Sequence, residues 1–214
     1  MFRRSTAGSR LEEPPEGDFM ANELQGKKIA FLAADGVEQV ELTEPWQAIE
    51  EAGGEPELLS IAAGEIPGLQ PSRPRRHVFG GHRGRPGECG RLRRARPAGR
   101  GREPRFPARR RDAVGFVRDL FEQGKPVGVI CHGPWTIVEA GVVKGRTITS
   151  WPTLRTDIVN AGGNWVDEEV CVDAGLVSSR KPDDLPASCA KIVEEFGEGE
   201  HAEQAEKTAR AVGR

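Results

Sequence analysis

The sequence has no run of about eighteen apolar residues and no apolar segment near its start. Neither a membrane-spanning helix nor a secretory signal is therefore expected. Four cysteines (Cys89, Cys131, Cys171 and Cys189) fall in no paired spacing such as C-x-x-C, so a disulfide framework is not expected. Free thiols in a reducing cytoplasm are the expectation. At 214 residues the chain is long enough for one well-buried domain and too short for two.

Lysine is missing from residues 67–111, which hold fifteen of the 24 arginines and only two acids, Glu88 and Glu103. That stretch carries a formal +13, so the net charge of −2 leaves −15 for the remainder. The tract also lacks apolar runs, RGG repeats and interleaved aromatics, Phe79 and Phe106 standing alone. Arginine at this density holds polyanions electrostatically, but without stacking residues it makes a poor RNA-binding module, and no nucleic-acid partner is expected. His77, His82 and Cys89 match no common zinc spacing, and no metal or organic cofactor is implied.

What is present is regular. Residues 1–26 are polar and aperiodic and are expected to be a disordered lead. Glu16 to Phe19 can be encoded GAA GGA GAT TTC, which places a ribosome-binding GGAG ahead of Met20, the expected start. A single domain is expected over 27–196. "KIAFLAA" (28–34) is an unbroken apolar strand of the kind buried on both faces. "ELTEPWQAIEEAGG" (41–54) spaces Leu42, Trp46 and Ile49 as a helix and closes on glycines. A strand at 55–61 follows. After the arginine tract come a helix over 112–124, a strand over 126–130, a short helix near 134–140, a strand over 146–150 and a helix over 153–163. A hairpin over 168–180 turns at Asp173-Ala174-Gly175, and a last helix runs from Asp183, as N-cap, to Phe196. Residues 197–214 read as a charged flexible tail. Alternating strands and helices give an α/β domain with a mostly parallel sheet, and ligands of such sheets gather at the carboxyl ends of the strands.

Cys131 stands at one of those ends, in "GKPVGVICHGPW" (124–135). A strand-to-helix turn exposes a nucleophile there and aims backbone N–H groups toward it. A following helix favours thiolate over thiol. Valine at 129, where the elbow pattern has glycine, makes the match incomplete. "DGVEQVE" (35–41) follows the first strand, so Glu38 and Glu41 also lie at the carboxyl edge. One of them is placed to hydrogen-bond the Cys131 sulfur.

"AFLAADGVEQVELTEPW", "GKPVGVICHGPW" and "SSRKPDDLP" (178–186) together resemble the PfpI family of intracellular proteases, general stress proteins and deglycases, within the class I glutamine-amidotransferase-like superfamily. The resemblance covers 27–66 and 112–196. It implies a flavodoxin-like three-layer α/β/α sandwich, Cys131 as nucleophile, Glu41 as the acid touching it and His132 as the neighbouring base. Glu38 and Gly133 are implied as supporting residues. It also implies a peptide or small carbonyl substrate and a homo-oligomer. Three alternatives stay open: a non-catalytic redox sensor in which Cys131 is oxidised beside Glu41, an amidotransferase-like domain without that activity, and an arginine-rich RNA binder. Amidotransfer needs a later His and Glu; "HAE" (201–203) supplies the letters, but a solvated tail is the wrong place for them.

The family also implies a further buried strand ending in "LPGG" between the second strand and the helix at 112. Residues 67–111 hold none. Read one base later, however, Gly90 to Gly101 can encode Asp-Asp-Phe-Asp-Ala-Leu-Val-Leu-Pro-Gly-Gly-Val. Leu69 to Arg73 likewise yields Phe-Asn-His-Leu-Asp, and Glu103 to Phe106 yields Asn-Pro-Asp. A frameshift entering near residue 67 and restored near 111 is therefore expected, with a disrupted central strand in the chain as written.

Overall fold

The computed structural model describes residues 22–33, 36–60, 65–67, 77–79 and 106–213. β1 (Lys28–Ala33) and β2 (Glu55–Ser60) pair in parallel, with Lys28 opposite Glu55 and Ala33 opposite Ser60. Between them α1 (Gln39–Glu51) lays Leu42, Pro45 and Ile49 inward. Leu42 joins Ala33 and Leu58 in one small cluster, flanked by Phe31 and Trp46 at 5.2 Å between rings. The α1–β2 turn requires glycine: Gly53 has φ +81°, and a Cβ on Gly54 would sit 2.8 Å from Ile49 Cγ2. The lead ends earlier than the sequence suggests. Leu24 is fully buried beside Ile29, Ile49 and Val193, and its N–H bonds to the Ala52 carbonyl. A single apolar residue in a polar stretch carries no periodicity, and so Leu24 gave no signal.

β3 (Glu65–Pro67) and β4 (His77–Phe79) form a separate antiparallel pair. The other positions expected to be irregular within 67–111 lie outside the described residues up to α2 (Phe106–Glu122), which begins six residues before the expected Asp112. The expected face is there: Val117 and Phe121 are buried, and Gly124, at φ +68°, ends the turn.

β5 (Val127–Ile130) pairs in parallel with β9 (Leu176–Ser179), which pairs antiparallel with β8 (Val170–Asp173). The hairpin turn falls at Ala174-Gly175, as expected. α3 (Pro134–Glu139), the two-residue strands β6 (Thr147–Ile148) and β7 (Asn164–Trp165), and α4 (Arg155–Asn160) complete this half. Its core gathers Val117, Phe121, Ile137, Val142, Ile148, Leu154, Ile158 and Leu176. Asp183 is not a cap. A 3₁₀ turn occupies Pro182–Asp184 and α5 runs Leu185–Glu198, because Asp184 turns back to hydrogen-bond Arg180 instead of the helix N-terminus.

α5 straddles both sheets. Ile192 packs on the Ile29 and Ile49 cluster, and its Cδ1 lies 3.0 Å from where a Cβ on Gly128 of β5 would be. Among the described residues, however, β1 has only β2 and β5 has only β9 as sheet partner. Leu32 on β1 is 38% exposed, and Val129 and Ile130 on β5 are only half-buried. An apolar strand written for two covered faces and two paired edges has an open edge on each side of the divide.

The expected flexible tail is a correction. α6 (Ala202–Val212) docks with Gln204 and Thr208 fully buried. Fully buried Arg146 donates to the Gln204 carbonyl at 2.9 Å and to Thr208 Oγ1 at 3.0 Å, and faces Asp173 at 3.7 Å, while Lys207 reaches the same Asp173 at 2.7 Å. The buried face of α6 is polar, so hydropathy reads it as solvated. Paired and hydrogen-bonded, a buried cation of this kind is tolerated where an isolated one would not be.

Candidate functional site

β5 delivers its chain to Cys131 in a left-handed conformation, φ +55°, which costs a non-glycine residue about 1–2 kcal/mol. The surroundings hold it there. The Cys131 N–H bonds to the Ser179 carbonyl at 3.1 Å, its carbonyl accepts from Trp151 N–H at 3.0 Å, and Gly133 N–H reaches Ile130 at 2.7 Å. A Cβ on Gly133 would lie 2.9 Å from the Ile130 carbonyl oxygen, so this position needs glycine for space. Valine at 129 is no obstacle, since the close approach falls at 133. Pro134 opens α3, where its missing N–H costs nothing.

Two of the expected side chains meet at the Cys131 sulfur. His132 is exposed and places Nδ1 3.1 Å from Cys131 Sγ. Glu41, in the first turn of α1, shares a side-chain hydrogen bond with the Cys131 thiol. Its Oε1 is buried without a partner. Glu38 precedes the helix and acts on both groups only through its charge. The acid one helical turn further on is therefore the one that reaches the sulfur.

The thiolate expectation is reversed. Burial pushes the Cys131 thiol up to about 12, and the charge and hydrogen bond of Glu41 and the charge of Glu38 act the same way. A backbone hydrogen bond from His132 opposes them. α3 is only six residues long and contributes a short dipole. Glu41 is also raised, first by burial and then by Glu38, its bond to the thiol pulling the other way. Each group resists being charged while the other is, so the two titrate as a coupled pair. Glu41→Gln removes the charge that holds the thiol proton in place. The alkaline limb of Cys131 alkylation by iodoacetamide, followed against pH, is expected to move at least about one pH unit lower. An unmoved or higher limb would show that Glu41 does not control the thiol.

Of the elbow amides expected to aim at the cysteine, one does so and two are committed elsewhere. Cys131 and Gly133 N–H both bond to backbone carbonyls, and His132 N–H acts on the sulfur. His201 is held by Gly124 and Glu195 rather than by the cysteine: its N–H meets the Gly124 carbonyl at 2.7 Å and Nε2 lies 3.2 Å from the Glu195 carbonyl. Two residues that sequence reading passed over border the site. The Trp135 and Trp151 rings lie 5.4 and 6.3 Å from the His132 ring. For Trp135 a signal was present, since it stands four residues after Cys131 in the same short motif; for Trp151, twenty residues on, there was none.

The sequence model of the DJ-1/PfpI family matches residues 99–195. The chain is 40% identical over 172 residues to a deglycase of Thermococcus kodakarensis, covering 78% of this chain and 97% of that protein. It is 39% identical over 166 residues to the deglycase PfpI of Pyrococcus furiosus, with the same coverage. Among solved structures, a two-domain protein of Anabaena variabilis with DJ-1/ThiJ/PfpI-like and ferritin-like domains matches with TM-score 0.61 and 26% identity, over 80% of this chain and 50% of that one. Drosophila melanogaster DJ-1beta matches with TM-score 0.56 and 20% identity, over 87% and 97%, a likeness of fold. The flavodoxin-like α/β architecture expected from the sequence is thereby established.

Proposed function

This chain belongs to the DJ-1/PfpI family, and from that premise we propose that Cys131 is the nucleophile of a deglycase-type enzyme acting on carbonyl adducts. The observation that carries the reading is the Glu41 carboxyl hydrogen-bonded to the Cys131 thiol on a left-handed elbow. As the sulfur adds to the carbonyl carbon, the thiol proton passes to the Glu41 carboxylate and the carbonyl π pair moves to oxygen. Glu41, with its raised proton affinity, then returns that proton to the oxygen or to the departing group. His132 Nδ1 is the second proton station. Water completes release. The relatives named deglycases favour a glyoxal-type adduct over a peptide bond.

The test pairs two substrates with one covalent readout. Methylglyoxal-modified N-acetylarginine and an unmodified fluorogenic peptide are each incubated with protein, and Cys131 is followed by mass spectrometry. Release of free N-acetylarginine with a transient adduct on Cys131 is expected. Peptide cleavage alone would make the protein a peptidase. A peroxide-dependent gain of two oxygens on Cys131 without turnover would make it a redox sensor.

We further propose that the gene carries a frameshift between about codons 67 and 111. Its support is physical. Two apolar strands, β1 and β5, pack against one helix and each has a single sheet partner among the described residues, and the shifted frame supplies an apolar strand followed by Pro-Gly-Gly. The glycine amides of that turn are the oxyanion donors that the elbow, with its own amides engaged, does not offer.

A further inference from the structure

Beside the sulfur lies an aromatic and acidic rim with no part in the proton transfers above. Trp135 is 50% exposed and Trp151 38% exposed, large apolar surfaces to leave in water. The two rings lie 5.4 and 6.3 Å from the ring of His132, whose Nδ1 is 3.1 Å from Sγ. Both indoles therefore border the ring that touches the reacting atom. Trp135 is also fixed in place: its Nε1–H donates to Asp157 Oδ2 at 2.7 Å. Trp151 is held by its own backbone, which donates to the Cys131 carbonyl. The charges that join this rim are negative: Asp157 at the Trp135 edge, with Glu41 and Glu38 acting at the sulfur. The nearby cation at the end of β9, Arg180, is already forked onto Asp184 and Asp167.

The geometry points to Trp135, Trp151 and Asp157 as a platform for a planar cation, so that the site selects adducts carried on a guanidinium-derived group over those on an ammonium or a thiol. A flat delocalised cation stacks on indole faces and keeps its charge near a carboxylate, whereas an ammonium is a compact, strongly hydrated point charge. The inference rests on Cys131 as the reactive residue but not on turnover, so it is tested separately from it.

Three iodoacetamides of similar size are compared as alkylators of Cys131, one neutral, one bearing an ammonium and one a guanidinium. In each the sulfur–carbon bond forms as iodide leaves. The guanidinium reagent is expected to react about tenfold faster than the neutral one and several-fold faster than the ammonium one. Trp135→Leu and Trp151→Leu are expected to bring these ratios toward one, Trp135→Phe to keep most of the preference, and Asp157→Asn to lower it. Circular dichroism verifies folding of each variant, and Trp135→Phe keeps the test sound should a leucine variant unfold. Equal rates for the ammonium and guanidinium reagents overturn the planar platform. A preference that survives both leucine variants assigns it to the acids alone and equally overturns the proposal. If the ratios behave as expected while no adduct is turned over, the platform stands and the deglycase reading fails.

Discussion

Cys131→Ala is expected to abolish adduct turnover in the frame-restored chain, by at least about 10⁴-fold, the scale of loss when a nucleophile is removed from an enzyme that uses it covalently. The geometry gives the replacement no substitute. His132 and Glu41 are placed against the sulfur, and each serves only to move its proton. Serine at 131 is expected to fail almost as badly. The environment already raises a thiol to about 12, and a hydroxyl starts far higher. Stability reports on the same residue from another direction. Alanine at 131 keeps the left-handed backbone and its cost, whereas glycine relieves it, so Cys131→Gly is expected to be about 1 kcal/mol more stable than Cys131→Ala, or roughly 2–4 °C in Tm. Equal Tm values would mean that the elbow is not strained, and residual turnover in Cys131→Ala would move the chemistry to another residue.

Much of this site could be read from the sequence because its parts are short and local. A buried apolar strand, a cysteine at its carboxyl end, glycine at 133 and two acids after the first strand need no tertiary information to be brought to one sheet edge. The residues alone left Glu41 and Glu38 level; the family resemblance singled out Glu41, and the helix that begins only at Gln39 gives the physical reason. The thiol's high proton affinity was not legible, because it arises from burial and from charges on another element. α6 was missed because its packing runs through Arg146, Gln204 and Thr208, and a buried polar face looks the same as a solvated one until its partners are known. Asp183 was misread for a local reason: two adjacent aspartates compete for the capping position, and Arg180 claims Asp184.

The frame-restored chain, carrying Asp-Asp-Phe-Asp-Ala-Leu-Val-Leu-Pro-Gly-Gly-Val in place of 90–101, is expected to outperform the chain as written by about 10²–10³-fold in turnover, the effect of supplying missing oxyanion donors, and by more if the added strand also firms the elbow. β1 and β5 each carry an unpaired edge among the described residues, and a row of unpaired strand N–H and C=O groups is a template for a further strand. A parallel strand between them would pair both edges at once, cover Leu32, Val129 and Ile130, and bring its Pro-Gly-Gly turn to the carboxyl edge beside Cys131. The apolar area buried on folding rises, so the urea m-value should rise along with the midpoint. The same exchange removes five arginines and adds three aspartates, lowering the formal charge by eight, and the restored protein should bind an anion exchanger more tightly at pH 7. Sequencing the gene across codons 60 to 115 decides whether the arginine codons exist. If they do, and the chain as written matches the restored one in both turnover and m-value, the sheet is complete without the strand and the frameshift is rejected.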